Sequence, residues 1–300
     1  MTASSCATRR VAAPPPAAAV DDPAELVPPD LDFVMRLDLG RVRDALGSGI
    51  LDELRQRALR GGNHGSEPLT DVLAQADTLW LGARPGSSVA SSDLVWILRG
   101  NFADFDPHRG GKFALPDDLG GALRRYDHLG TTERADPARI YLHANDLVVV
   151  ASIAELDSVE RTLEFGRRGG ALEPPSKGLV SIAVRPRALL GRLPAGTGQL
   201  RKLAEHVLRI EGSADVTSAG LAVELALEFG DGEIAASVAR ALGELKAALH
   251  GDERLGTFAD RTSIEHVEAF VTAHVTLNRA ELLGAICGGS CGDTGAKKQP

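Results

Sequence analysis

The sequence predicts an α+β protein made of two similar modules, each an antiparallel sheet with helices packed on one face. Three observations carry that prediction. Leu221, Val223, Leu225, Leu227 and Phe229 alternate with alanines and glutamates, as in a strand with one dry side and one wet side. Leu94, Trp96 and Leu98 repeat the places of Val223, Leu225 and Leu227 at an offset of 129. Phe33, Met35 and Leu37 are echoed by Val180, Ile182 and Val184 at an offset of 147.

Taken in order, residues 1–30 form a Pro/Ala-rich tether. The run VAAPPPAAAVDDPAELVPPD has no core pattern and favours extended, polyproline-like backbone. The first module, 31–166, starts with the strand around Phe33–Leu37. Asp38 caps a helix carrying Leu39, Val42 and Leu46, and the helical pattern resumes from Ile50 until Gly61-Gly62. A short helix follows Pro68. Thr78–Ala83 and Asp93–Phe102 read as a hairpin with a long loop, Pro116–Tyr126 as a helix, and Arg139–His143 with Leu147–Ser152 as a second hairpin turning at Asn145-Asp146. Glu155–Phe165 is a helix closed by Gly166.

RRGGALEPPSK, 167–177, has linker composition, and the second module occupies 178–286. It repeats the order: a strand at Val180–Val184, a helical run through Leu189 and Leu193, another from Leu200 to Val207, and a hairpin at Leu208–Phe229. That hairpin matches Leu79–Gly100 at the same loop length. Ile234, Val238, Ala241, Leu242, Leu245 and Leu249 define an amphipathic helix. Ile264–Thr276 reads as one last strand, Asn278 as the cap of a final helix, and 287–300 as a disordered tail.

Composition excludes several classes of function. With 33 basic and 41 acidic residues the net charge is −8, the wrong sign for binding nucleic acid through its phosphates. Aromatic content of 4% leaves little for base stacking. No apolar run reaches the roughly 18–20 residues of a membrane span. The motifs of nucleophilic, zinc-dependent and dinucleotide-dependent enzymes are missing, so no catalytic or cofactor-binding residue is assigned and the reading points away from an enzyme.

The weak metal candidates are Asp104, Asp106 and His108 in NFADFDPH, where carboxylates and a histidine alternate just after a strand. The spacing fits no calcium loop, whose glycine and distal bidentate glutamate are missing, and an ordinary polar loop is the better account. RGGKF at 109–113 has the composition of a phosphate loop without its spacing. His266, Glu268 and His274 share a side if Ile264–Thr276 is one strand, but His266 and His274 then lie roughly 26 Å apart, too far for one metal. Trp80 is a candidate anchor for a partner if exposed, whereas Trp96 belongs with Leu94 and Leu98 in the core.

Ala3-Ser4-Ser5-Cys6 resembles the end of a bacterial lipoprotein signal, with Ala where Leu is usual. That resemblance implies lipidation of Cys6 and a flexible leader behind it. Cys287 and Cys291, four apart in a glycine-rich tail, can form a local disulfide outside the cytoplasm. FVMRLDLGRV and the modules it opens resemble the secreted or lipid-anchored proteins, of unknown function, of GC-rich bacteria. The expectation is therefore a non-enzymatic binding or scaffolding protein of the cell envelope, periplasmic or anchored to the outer membrane. Its contact surface would be the wet faces of the sheet or the groove between the modules. Its partner would be a protein or small ligand and not nucleic acid, with the membrane touched only through Cys6. Two other readings stand beside it: a hydrolase or metal-dependent enzyme built on Asp104, Asp106 and His108, and a cytoplasmic interaction module using an apolar patch near Trp80.

Overall fold

The computed structural model describes residues 22–46, 72–86, 91–130, 134, 136–166, 169–186, 205–218, 220–251 and 256–278. The expected tether up to residue 21, the stretches 47–71 and 187–204 in which helical runs were expected, and everything after Asn278 lie outside them. So do Cys6, Cys287 and Cys291. Of the helix expected from Leu200 to Val207, the last residue instead opens a strand.

The described strands form one antiparallel sheet of twelve. In chain order they are β1 (Phe33–Asp38), β2 (Ala76–Arg84), β3 (Asp93–Gly100), β4 (Asp117–Asp118), β5 (Leu123–Asp127), β6 (Arg139–His143), β7 (Leu147–Ala151), β8 (Val180–Val184), β9 (Val207–Thr217), β10 (Gly220–Phe229), β11 (Thr262–Val267) and β12 (Phe270–Leu277). Their order across the sheet is β11-β12-β10-β9-β8-β1-β2-β3-β7-β6-β5-β4. The front of the chain thus builds one side and the back builds the other, meeting at the β1–β8 pair. β3, with Trp96, and β10, with Leu225, are each third from that seam.

One row of cross-strand partners crosses the sheet through the seam. From the seam outward it reads Met35, Leu81, Trp96, Val150, Ile140 on one side and Ile182, Gly212, Leu225, Ala273, Ile264 on the other. Met35 and Ile182, the residues related by the 147-residue offset, face each other across the seam. The expected equality of hairpin loops fails. β2 and β3 have 9 and 8 residues and are separated by 85–92, whereas β9 and β10 have 11 and 10 and turn within 218–219.

Two further sequence expectations are corrected. Pro116–Tyr126 is the β4–β5 hairpin, because Gly120, Gly121 and Ala122 all have positive φ, which no right-handed helix accommodates. Ile264–Thr276 is the β11–β12 hairpin: Glu268 adopts φ 53° and reverses the chain between Val267 and Phe270. His266 then pairs with Val271 and His274 with Ser263. Those positions lie on opposite faces of the sheet, so the two histidines do not share a side.

The helices are α1 (Leu39–Leu46), α2 (Leu156–Phe165), α3 (Gly232–Leu249) and α4 (Gly256–Arg261), with 3-10 turns at Pro23–Leu26, Pro107–Gly110 and Ile153–Glu155. Asp38 caps α1 as expected, its Oδ1 accepting from Arg41 N–H at 3.0 Å. Where one covered face was expected, the first half has two. Leu26, Val34, Val95, Ile97, Val149 and Val159 form a core that includes α2 and the first 3-10 turn. Leu39, Leu79, Leu98, Phe102, Tyr126 and Val150 form another on the opposite face. In the second half, α3 covers the Trp96 face through Ala235 and Val238 against Val207, Phe229 and Val271. The other face carries the row Ser181, Ser213, Glu224, His274, Ser263, which has no large apolar side chain; Ser181 beside the seam is buried, and the row is wet only from Ser213 outward.

β10 enters the sheet through a residue that only glycine fits. Gly220 has φ 132°, and a Cβ there would lie 2.0 Å from the carbonyl oxygen of Leu277. Gly220→Ala is expected to lower stability by about 1–3 kcal/mol, read from the urea midpoint, whereas Gly243→Ala on α3, where a Cβ meets nothing within 4 Å, should not.

Candidate functional site

At the seam, on the Trp80 face, the sheet carries a cavity of about 530 Å³. Its floor comes from both halves of the chain: Arg36 of β1 and Trp80 of β2 from the first, Arg209 and Glu211 of β9 from the second. Arg36 and Trp80 are direct cross-strand partners, so their side chains rise from the same spot. The wall is Glu173, Pro174, Pro175 and Ser176, part of the stretch expected as a linker, and the rim is Asp22 and Ala24. Leu172, just before this wall, is buried in the core beneath it and pins the connection down.

Trp80 is half-buried. One side of it packs on the first-half core and it also lines the cavity. Trp80 and Trp96 lie on opposite faces of the hairpin, since Trp96 pairs with Leu81.

The charges of the site are unevenly engaged. Arg209 is held tightly, with Nη2 2.5 Å from Glu211 Oε1 and 2.6 Å from the carbonyl oxygen of Glu173. Its Nε is buried and has no hydrogen-bond partner. Arg36 is held loosely. Nη1 is 3.4 Å from the carbonyl oxygen of Gly178 and Nη2 is 3.5 Å from Asp38 Oδ2, although its side chain is only 17% exposed. Good charge-assisted bonds are about 2.7–2.9 Å long. Asp22 Oδ1 accepts from Ala24 N–H at 2.9 Å. The site therefore offers an indole face, a proline wall, a weakly committed guanidinium and an acidic rim.

A second group of ionisable residues lies at the far end of β2. Arg84 contacts Glu155 (Nε to Oε1, 2.5 Å) and Asp30 (Nη2 to Oδ2, 2.5 Å) and donates to the carbonyl oxygen of Asp30 at 2.8 Å. Glu155 is 0% exposed. Burial pushes its carboxyl above the usual range, and the hydrogen bonds and charge of Arg84 do not fully offset that. For Asp30 burial also pushes upward, but Arg84 prevails and its carboxyl titrates below the usual value. On the outer strands Tyr141 donates to Glu160 at 3.1 Å, and Arg139 bridges Tyr141, Glu160 and Asp127. Both groups tie elements together.

The metal candidates are not brought together. Asp104 is exposed. Asp106 caps the 3-10 turn Pro107–Gly110 by accepting from His108 N–H at 3.0 Å. His108 Nδ1 is 2.9 Å from the carbonyl oxygen of Phe113. Among the described residues no three His, Cys, Asp or Glu side chains are placed to hold a metal ion. Arg109 and Lys112 flank Gly111, whose φ of 66° closes the same turn. What sequence reading missed is Arg36, Arg209 and the Pro174-Pro175 wall. A lone arginine inside an apolar first strand was the available signal.

No family model and no curated protein matches the chain. It is similar to solved structures of TP0453. Crystal form I gives a TM-score of 0.52 at 12% identity, covering 89% of this chain and 97% of that one. Crystal form IV gives 0.52 at 10% identity, covering 90% and 97%. At such identities the likeness is one of fold, and it agrees with the α+β architecture.

Proposed function

We propose that this chain is a non-enzymatic binding protein of the cell envelope, two copies of one α+β unit carried on a Pro/Ala tether from a lipid on Cys6, with its ligand held at the seam. The observation that carries the binding role is the seam cavity. It is built by β1, β2 and β9 from both halves, and 530 Å³ lies within the roughly 300–1,000 Å³ typical of small-molecule pockets. Its lining mixes apolar surface from Trp80, Pro174 and Pro175 with five ionisable side chains, a surface suited to holding a polar ligand. The ladder row from Met35 outward and its counterpart from Ile182 support duplication. No helix among the described residues is long and apolar enough to cross a membrane, so attachment through Cys6 would serve as the anchor.

Two measurements test this. In a bacterial host fed an alkyne-tagged fatty acid, the full chain with its upstream region should be labelled and sediment with membranes, and Cys6→Ser should remove the label. An unlabelled chain that stays in the soluble cytoplasmic fraction would overturn the address. A metabolite screen by thermal shift should give compounds that raise the Tm of the full chain but not of Ser176→Trp, which fills the cavity from the exposed end of its wall. Absence of any such compound would overturn the binding role.

A further inference from the structure

We propose that the outer edge of β11 pairs antiparallel with the same edge of a second copy of this chain, giving a closed two-fold dimer with one sheet running through both copies. β11 (Thr262–Val267) ends the sheet on the second-half side. Among the described residues no backbone group bonds to its outer edge. Ser263, Glu265, His266 and Val267 are exposed. Natural edge strands are usually guarded by proline, lysine or a bulge. β11 has no proline or lysine, and its register with β12 is unbroken. The opposite edge of the sheet is only Asp117–Asp118, too short and too acidic to act as a template.

The register follows from the hairpin. Only Glu268 and Ala269 separate the paired residues Val267 and Phe270, and a two-residue loop closes on a pair that exchanges both backbone bonds. Val267, Glu265 and Ser263 therefore spend their N–H and C=O groups on β12. Thr262, Ile264 and His266 direct theirs outward. Setting Ile264 opposite the partner's Ile264 sets Thr262 opposite the partner's His266, and every outward group of both strands is then bonded. The same alignment sets Ser263 opposite the partner's Glu265 in a non-hydrogen-bonded pair, where side chains lie closest. No like charges meet. Sliding the strands one way brings Glu265 against the partner's Glu265, and sliding them the other way leaves His266 without a strand residue to bond.

The helix above this edge fits an added strand. Ile234, Val238 and Leu242 of α3 pack into the second-half core, as does Ile264. Leu245 continues the same helical stripe yet is 49% exposed. α3 lies along β11 and β12, so a further strand outside β11 extends the sheet beneath α3 and toward Leu245. The two-fold axis runs perpendicular to the sheet, so both copies open their seam cavities on the same side. Because β4 cannot pair in the same way, growth stops at two copies.

The test is sedimentation equilibrium of the full chain carrying Cys6→Ser, Cys287→Ser and Cys291→Ser, which excludes lipid and disulfide as the cause of association. A reversible monomer–dimer equilibrium is expected. Ser263→Glu, at an exposed position, places like charges opposite each other twice in the dimer and should weaken it at least about threefold. Ser263→Lys faces the partner's Glu265 and should tighten it. His266→Pro removes an outward N–H from each copy without costing a bond to β12 and should abolish the dimer, with Tm recorded for each variant. If His266→Pro does not fold, the opposite signs of the two Ser263 variants decide. A chain that stays monomeric at its highest soluble concentration overturns the proposal. So does a dimer that responds alike to Ser263→Glu and Ser263→Lys, one that survives in folded His266→Pro, or growth into open-ended assemblies.

Discussion

Arg84→Met is expected to destabilise the protein by about 3 kcal/mol, because it leaves the carboxylate of Glu155 buried without its counter-charge. Glu155 is 0% exposed and Arg84 supplies its charged partner at 2.5 Å. Urea unfolding of the two proteins at neutral pH measures the difference. Replacing both residues by apolar ones, Arg84→Met with Glu155→Leu, should recover much of the loss, since no buried charge then remains. The pH dependence has a definite sign. A carboxyl whose folded-state value is raised binds its proton more tightly in the folded chain. The contribution of Glu155 to stability therefore grows as pH falls from neutrality toward its ordinary value of 4.5. Asp30 behaves in the opposite sense: its value is depressed in the fold, so its contribution is present above 3.8 and is lost as pH falls below that. The cost of Arg84→Met should accordingly be largest at neutral pH and shrink on mild acidification. Glu155→Gln should remove the gain that the unaltered protein shows over that interval. A penalty for Arg84→Met that is the same at neutral pH and near 4.5 would contradict this account.

Phe102→Ala is expected to cost about 3–5 kcal/mol, the range for emptying a buried phenylalanine site. Phe102 is 0% exposed in the core on the Trp96 face, and its backbone N–H donates to the carbonyl oxygen of Asn145 at 2.7 Å, fastening the loop after β3 to the β6–β7 turn. Phe105 and Phe113 join it in the same core. The neighbouring Asp104→Ala, at an exposed position, should change stability by no more than about 0.5 kcal/mol. Chemical denaturation of both variants gives the contrast. If Asp104→Ala proved as damaging as Phe102→Ala, the segment would be organised by its carboxylates after all. Together these residues explain NFADFDPH: its phenylalanines plug the end of the sheet, and Asp106 and His108 shape the loop between them.

The strands were readable wherever a side chain's surroundings follow from its own neighbours in sequence. Apolar patterning located β1, β2, β3, β8, β9 and β10, and the Asn145-Asp146 turn pair located β6 and β7. Asp38 and Gly166 marked helix ends through local hydrogen bonding and a positive φ of 73°. Reading failed where conformation was decided from outside. Residues 116–126 have helix-like spacing, yet Gly120, Gly121 and Ala122 turn the chain so that β5 can pair with β6. Val267 to Phe270 lacks the usual turn residues, and Glu268 takes a left-handed φ to bring β11 beside β12. Composition alone does not show where the carboxylates and the histidine of NFADFDPH aim. Asp106 turns back on His108 N–H, and His108 on the carbonyl of Phe113.

By itself the sequence determined the class of fold, the period-two apolar patterning of most strands, and its recurrence in the back of the chain. Period-two patterning is a local property, and burial of the apolar set enforces it in any context. The meeting of the halves in one sheet at Met35 and Ile182 was decided by tertiary structure alone, as was the gathering of Arg36, Trp80, Arg209 and Pro174 around one cavity. The reason is distance along the chain. Arg36 and Arg209 become neighbours only because β8 lies between β1 and β9, and no pattern within either strand records which edge will join the other.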